Sequence, residues 1–168
     1  MKSPSIDFLY QNELPEHAPA IIQLHEDAFG PGRFTRAAFL VRKDTPHASD
    51  LSFVAHDNGL LVGSVRLTPV RIGGVGVQLL GPLAVSRNYA SLGIGRQLMF
   101  LAMQAARHTS ETHVMLVGDL QYYAPFGFRQ ADVGSIRFPA AVDPFRILIA
   151  MVGPDGATTP AGDVRMVQ

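Results

Sequence analysis

Gly93 and Gly95, one residue apart, open an amphipathic run from Ile94 to about His108, and an apolar segment ending at Val85 leads into them. A glycine-rich turn at a helix start leaves first-turn N–H groups without intrahelical acceptors. They face outward and suit an anion such as a phosphate or pyrophosphate. The spacing taken alone is also that of a plain helix cap. Arg87 and Arg96 flank the turn and could add charge, although surface solvation accounts for them equally well. A second stretch, GDLQYYAPFGF from Gly118 to Phe128, follows the apolar segment His113 to Val117 and carries two phenols, Tyr122 and Tyr123. Asp119 can cap the short helix that bears them. His25 and Glu26 stand near the end of an earlier helical segment as candidate proton acceptors. His25 lies on the apolar stripe, where a satisfied core histidine is the simpler account. Glu26 beside it is the first choice for a base, and water could serve in its place.

Other chemistries are limited by what the chain lacks. There is no cysteine, which excludes disulfides, thiolate zinc sites and a cysteine acyl-enzyme. The six histidines (17, 25, 47, 56, 108, 113) show neither HxH nor HExxH spacing, so no metal is expected. Fourteen basic residues balance fourteen acidic ones, and without a basic run there is no electrostatic reason to expect nucleic acid or an anionic membrane. No segment has the length of a membrane span and the first residues lack a signal-peptide core, so a soluble cytoplasmic protein is expected. At 168 residues, 47% hydrophobic and 17% charged, the chain reads as one globular domain spanning 1–168.

Periodicity supplies the elements that would position these groups. Strands are expected at Ile6 to Tyr10, Leu51 to His56, Leu60 to Ile72 and Val75 to Val85, with Asn58-Gly59 and Gly73-Gly74 as the turns. A helix is expected from Pro15 to Phe29, buried through Ala18, Ile21, Ile22, His25, Ala28 and Phe29. Gly30-Pro31-Gly32 ends it, and a shorter helix covers Thr35 to Lys43. The helix from Ile94 turns Leu98, Leu101, Ala102 and Ala105 inward. Further strands fall at Ser135 to Phe138 and Phe145 to Val152, and the turn-rich end could add a small terminal strand. Gly81-Pro82 interrupts the strand before the glycine turn. Proline cannot donate to a ladder, so a bulge with an unpaired N–H near Leu83 is the favoured reading over a simple strand end.

These two stretches together resemble the GNAT superfamily of acyl-CoA-dependent N-acyltransferases, closest in appearance to its YhbS-like branch. The family loop is Gln or Arg, two residues, Gly, one residue, Gly or Ala; Ala90, Ser91, Leu92, Gly93, Ile94 and Gly95 stand in those places. Tyr123 precedes Gly127-Phe128 at the family spacing, and the order of elements matches to about residue 152. Ala90 and Leu92 depart from the pattern and remove cationic side chains, leaving backbone donors and the helix dipole.

The resemblance implies an α/β (α+β) fold. Its mixed, mostly antiparallel twisted sheet would carry helices on both faces and a V-shaped opening for CoA. It implies an acyl-CoA, acetyl-CoA first, held by Ser91, Leu92, Gly93, Ile94, Gly95 and Arg96 and by the backbone of Leu83, Ala84 and Val85. An N–H near Leu83 would stabilise the oxyanion, and Tyr123 would be the acid that protonates the leaving thiolate. The acceptor would be a small-molecule or peptide amine, and the 29–36 turn and the tail offer it Phe29, Arg33, Phe34, Phe138 and Phe145, a mix suited to an apolar part and a carboxylate for Arg33, although loop residues plugging the sheet end account for them equally well. Exposed tail strands are compatible with a homodimer. The competing reading is a non-catalytic acyl-CoA-binding module. A Rossmann site fails for want of a third glycine, and a P-loop for want of GK[ST].

Overall fold

The computed structural model describes residues 7–167. The expected first strand begins at Ile6, outside the described residues; β1 is observed at Leu9–Asn12. Asn58 and Gly59 take φ of 46° and 87°, the paired positive values of a tight primed turn, and join β2 (Phe53–Asp57) to β3 (Leu60–Ile72). Gly73 and Gly74 repeat the device into β4 (Val75–Val85). The chain continues through α3 (Ile94–Ala106) to β5 (His113–Val117) and α4 (Leu120–Tyr123). α1 (Ala18–Phe29) and α2 (Ala37–Arg42) precede β2. The tail supplies β6 (Arg129–Gln130), β7 (Ile136–Arg137), β8 (Ile147–Met151) and β9 (Gly162–Met166).

The strands order β1-β2-β3-β4-β5-β8-β6, and β9 joins β3 at Val70 to Ile72, where β2 has ended. Pairing is antiparallel except between β4 and β5 and between β7 and β9. Both faces of the sheet are covered. Consecutive strand residues point to opposite sides, so Leu80 joins the core under α3, with Leu98, Met99 and Ala102, while Leu79 joins a second core that receives Val41 of α2. α1 lies against β3 and β4. No described helix is long and apolar enough to cross a membrane.

Two expected stripes are rotated. On α1 the buried residues are Ile21, Leu24 and His25, and Ile22 is exposed. On α3 Met99, Met103 and Ala106 are buried with Ile94, Leu98 and Ala102, and Leu101 and Ala105 lie at the margin. Both helices carry apolar residues around more than one face, so spacing alone did not single out the side that meets the sheet.

Gly63 of β3 lets α3 sit close. A Cβ there would lie 2.9 Å from Ile94 Cγ2 and 3.0 Å from Leu98 Cδ1. Gly63→Ala is therefore expected to cost about 1–3 kcal/mol of stability by overpacking. Chemical denaturation would read the loss, and an unchanged midpoint would mean that α3 is more loosely seated than its contacts indicate.

Candidate active site

The cleft begins where β4 leaves β5. Val65 pairs with Leu83 and Leu67 with Leu80, so Arg66 faces two residues, Gly81 and Pro82. This is the expected bulge. β4 and β5 pair only at Gln78 with Val114 and Leu79 with Met115, after which β4 stays with β3 alone. Ser86 N–H donates to the Val62 carbonyl at 2.8 Å. Antiparallel alternation then aims the N–H and C=O groups of Leu83 and Val85 away from β3, toward the gap. Ala84 between them is buried. The resulting cleft, about 1070 Å³, is bordered by Leu83, Val85, Gly95, Gly118, Tyr122 and Tyr123, and continues beneath α1 and α2.

At one end lies the start of α3. Gly93 is its N-cap with φ 84° and ψ 4°, a left-handed conformation that favours glycine, and no side chain caps the helix. Gln97 N–H bonds to the Gly93 carbonyl at 3.0 Å, so the N–H groups of Ile94, Gly95 and Arg96 precede the first helical bond. Gly95 has a different reason to be glycine: a Cβ there would lie 2.9 Å from the Tyr122 hydroxyl. Ile94 itself is buried in the core, so its contribution to the cradle is its backbone. Ser91 takes φ 63°, and Leu92, Arg87 and Arg96 are exposed around the turn.

Tyr123 stands across the gap. Asp119 accepts from Gln121 N–H at 3.0 Å and caps α4, as its position suggested. The Tyr123 ring meets Tyr122 edge-on at 4.7 Å and Phe128 at 5.9 Å. It also occupies the space a Cβ on Gly118 would need, 2.6 Å from Cε2. Burial, with the neighbouring Tyr122 adding to it and Arg146 opposing, pushes its pKa up to about 12, so the phenol keeps its proton throughout neutral pH.

The cleft also carries charge of which sequence reasoning named only Arg33. Six cations border it, Arg33, Arg36, Arg42, Lys43, Arg66 and Arg146. The two carboxylates among its lining residues, Asp119 and Asp143, are committed to capping. Arg66 is neutralised by Glu13, which accepts from Nε at 3.0 Å and Nη2 at 2.6 Å and also lies 3.0 Å from His47. Burial alone would raise the Glu13 pKa, but the hydrogen bonds from His47 and Arg66 and their charges overcome it and hold it at about 2. Residues 13 and 66 share no sequence signal; only the antiparallel sheet brings them together.

Of the candidate bases, His25 lines the cleft and Glu26 does not. Glu26 is half exposed, 3.6 Å from Arg33. Burial first, then Arg66 and Arg42, depress the His25 pKa to about 4, so the imidazole is neutral, and its buried Nε2 has no hydrogen-bond partner among the described residues. Phe29 and Arg33 reach the cleft as expected, but Phe34, Phe138 and Phe145 do not. Phe34 packs edge-on against Phe39, Phe138 packs on the second core, and Phe145 is largely exposed. Among the described residues no group of three metal-ligating side chains is found.

A family model described as the acetyltransferase (GNAT) family matches residues 18–128. The uncharacterized N-acetyltransferase YhbS of Escherichia coli K12 is 29% identical over 144 residues, covering 83% of this chain and 85% of that protein. The structure of Escherichia coli YhbS in complex with CoA matches with a TM-score of 0.80 at 24% identity, over 99% of this chain and 93% of that one. A GNAT acetyltransferase from Brucella melitensis in complex with acetyl-CoA matches with a TM-score of 0.70 at 28% identity, over 96% and 97%.

Two outcomes follow from this geometry. Glu13 lies below its ordinary 4.5 and His25 below its ordinary 6.5, so the unfolded chain binds more protons than the folded one in both windows. Stability should fall first between about pH 6.5 and 4 through His25, then between about pH 4.5 and 2 through Glu13. Melting temperatures followed from pH 7 downward would show both steps, and Glu13→Gln should lose the lower one. Separately, Gly118→Ala should displace the Tyr123 ring and change tyrosine fluorescence; a ring environment unchanged in that variant would contradict the close packing.

Proposed function

The chain belongs to the acetyltransferase (GNAT) family, and on that premise we propose that it moves an acetyl or similar acyl group from acyl-CoA to a primary amine. Transfer occurs by direct attack in a ternary complex, since no cysteine is present to form a thioester intermediate. The observation that carries this reading is the bulge beside the gap, which leaves the Leu83 and Val85 backbone free between an uncapped helix start and a protonated phenol. The relatives crystallised with CoA and with acetyl-CoA support the choice of donor.

The first-turn amides of α3, from Gly93 to Arg96, would take the donor's pyrophosphate, with Ser91 and Leu92 shaping the turn. Backbone groups of Val85 would hold the extended arm as an added strand is held. The amine nitrogen attacks the thioester carbonyl carbon, and the Leu83 N–H stabilises the charge that develops on its oxygen. The carbon–sulfur bond then breaks, the sulfur takes the Tyr123 hydroxyl proton, and the phenol regains a proton from solvent. The proton shed by the nitrogen passes to water in the cleft mouth; Glu26, the first carboxylate considered for it, is engaged with Arg33.

Calorimetric titration with acetyl-CoA, with NAD as the comparison ligand, tests the donor. Saturable binding of acetyl-CoA alone is expected. Tyr123→Phe should bind it with unchanged affinity while kcat falls about 100-fold or more. Unaltered turnover would remove Tyr123 from the chemistry, and no acetyl-CoA binding in the parent would overturn the reading.

A further inference from the structure

Charge pairing in the acceptor half of the cleft is uneven. Arg66 has Glu13, Arg33 has Glu26 and Lys43 has Asp44. Arg42, the last residue of α2, is largely buried, yet among the described residues no carboxylate pairs with its guanidinium. Two cations, Arg66 and Arg36, act on it and repel it. Burial first, and those two cations after it, bring its pKa down to about 10, so it stays charged at neutral pH. A buried cation without a counter-ion costs stability that apolar residues of similar size would not. The position of the group offsets that cost only if something anionic arrives.

The geometry says where it would arrive. A Cβ on Gly81 would lie 2.8 Å from Arg42 Nη1, so the guanidinium edge rests on the bulge itself, in space that the glycine leaves open. Gly81 also takes φ +125°, a second reason no larger residue stands there. Leu83, whose amide faces the gap, is two residues further along the same strand. Arg36 lines the same space. An anion held by Arg42 therefore sits a few bonds from any nitrogen that attacks at Leu83.

Resting on the acyltransferase reading above, we infer that the acceptor is a small amine carrying its own anionic group, a carboxylate or phosphate, which Arg42 binds beside the Gly81 bulge. The anion supplies the missing counter-charge. The surrounding cations at the same time disfavour an ammonium and favour the neutral, nucleophilic nitrogen. A polyamine or other acceptor without an acidic group would bring further positive charge into this space and is selected against.

Acetyl transfer by the full-length protein to glycine, β-alanine, 4-aminobutyrate and O-phosphoethanolamine, against glycinamide, β-alaninamide, propylamine, ethanolamine and spermidine, tests this. We expect kcat/KM at least ~10-fold higher for the best acid than for its uncharged counterpart. The carboxylate and phosphate arms identify which anion is preferred. Arg42→Met should erase that preference, leave the acetyl-CoA dissociation constant unchanged and raise the melting temperature of the free protein by removing an unpaired buried charge. Equal or faster turnover of the uncharged or cationic amines, or a preference that survives in Arg42→Met, overturns the inference while leaving acyl transfer intact. Binding of acetyl-CoA without turnover of any acid overturns it as well. Failure to bind acetyl-CoA removes both this inference and the reading beneath it.

Discussion

Among the described residues no ladder pairing joins β4 to β5 beyond Leu79, and the cleft follows from that separation. β5 continues with β8 on its other side, while β4 keeps its bond to β3 through a bulge in which Arg66 faces both Gly81 and Pro82. Pro82 has no N–H to offer a neighbour. The two halves of the sheet each stay paired on one edge, so the gap costs only the bonds along its own length. What it yields is a row of backbone groups between two walls, which is rare inside a folded protein because buried amides are normally paired. The bulge also borders what lies on the far side, because Arg42 Nη1 lies 2.8 Å from where a Cβ on Gly81 would stand.

Three glycines tie the two ends of the cleft into one unit. Gly93 permits the left-handed entry into α3, Gly95 makes room for the Tyr122 hydroxyl and Gly118 for the Tyr123 ring. Tyr122 and Tyr123 meet edge-on, so the start of α3 and the phenol across the gap are linked through one ring contact. The Gly-x-Gly pattern thus has two unrelated causes, one of backbone conformation and one of space, and only the first can be read from the loop alone.

The sheet was legible in the sequence because its signals are local. Asn58-Gly59 and Gly73-Gly74 bound β3 at Leu60 and Ile72, alternation carried β4 to Val85, and the apolar run His113–Val117 is β5 residue for residue. Gly81-Pro82 announced the bulge for the same reason. Side-chain direction was less accessible. Helix neighbours differ by about 100°, and that rotation turns His25 into the cleft while leaving Glu26 at its rim beside Arg33. The aromatic residues Phe34, Phe138 and Phe145 looked suited to a pocket by composition, but each found another place. The cationic chamber had no local signature at all. Its members come from the 33–36 turn, α2, β3 and the segment before β8, and the carboxylate that balances Arg66 lies 53 residues away in the chain.

That distribution of charge bears on how the proposed transfer could run with water, and no carboxylate, taking the proton. A carboxylate placed to take the amine proton would also pair with Arg42 or Arg36 and cancel the field they create. The described structure instead spends its nearby carboxylates elsewhere: Glu13 on Arg66 and His47, Glu26 on Arg33, Asp119 and Asp143 on capping. His25, neutral with a pKa near 4, adds no opposing charge. In such a space an ammonium is electrostatically disfavoured and its proton is lost to water more readily than in bulk solvent. The cations can therefore do by field what a base does by contact, provided the incoming molecule carries an anion that makes its entry favourable. On the proposed reading, the unpaired Arg42 and a proton that passes to water are then one arrangement seen from two sides.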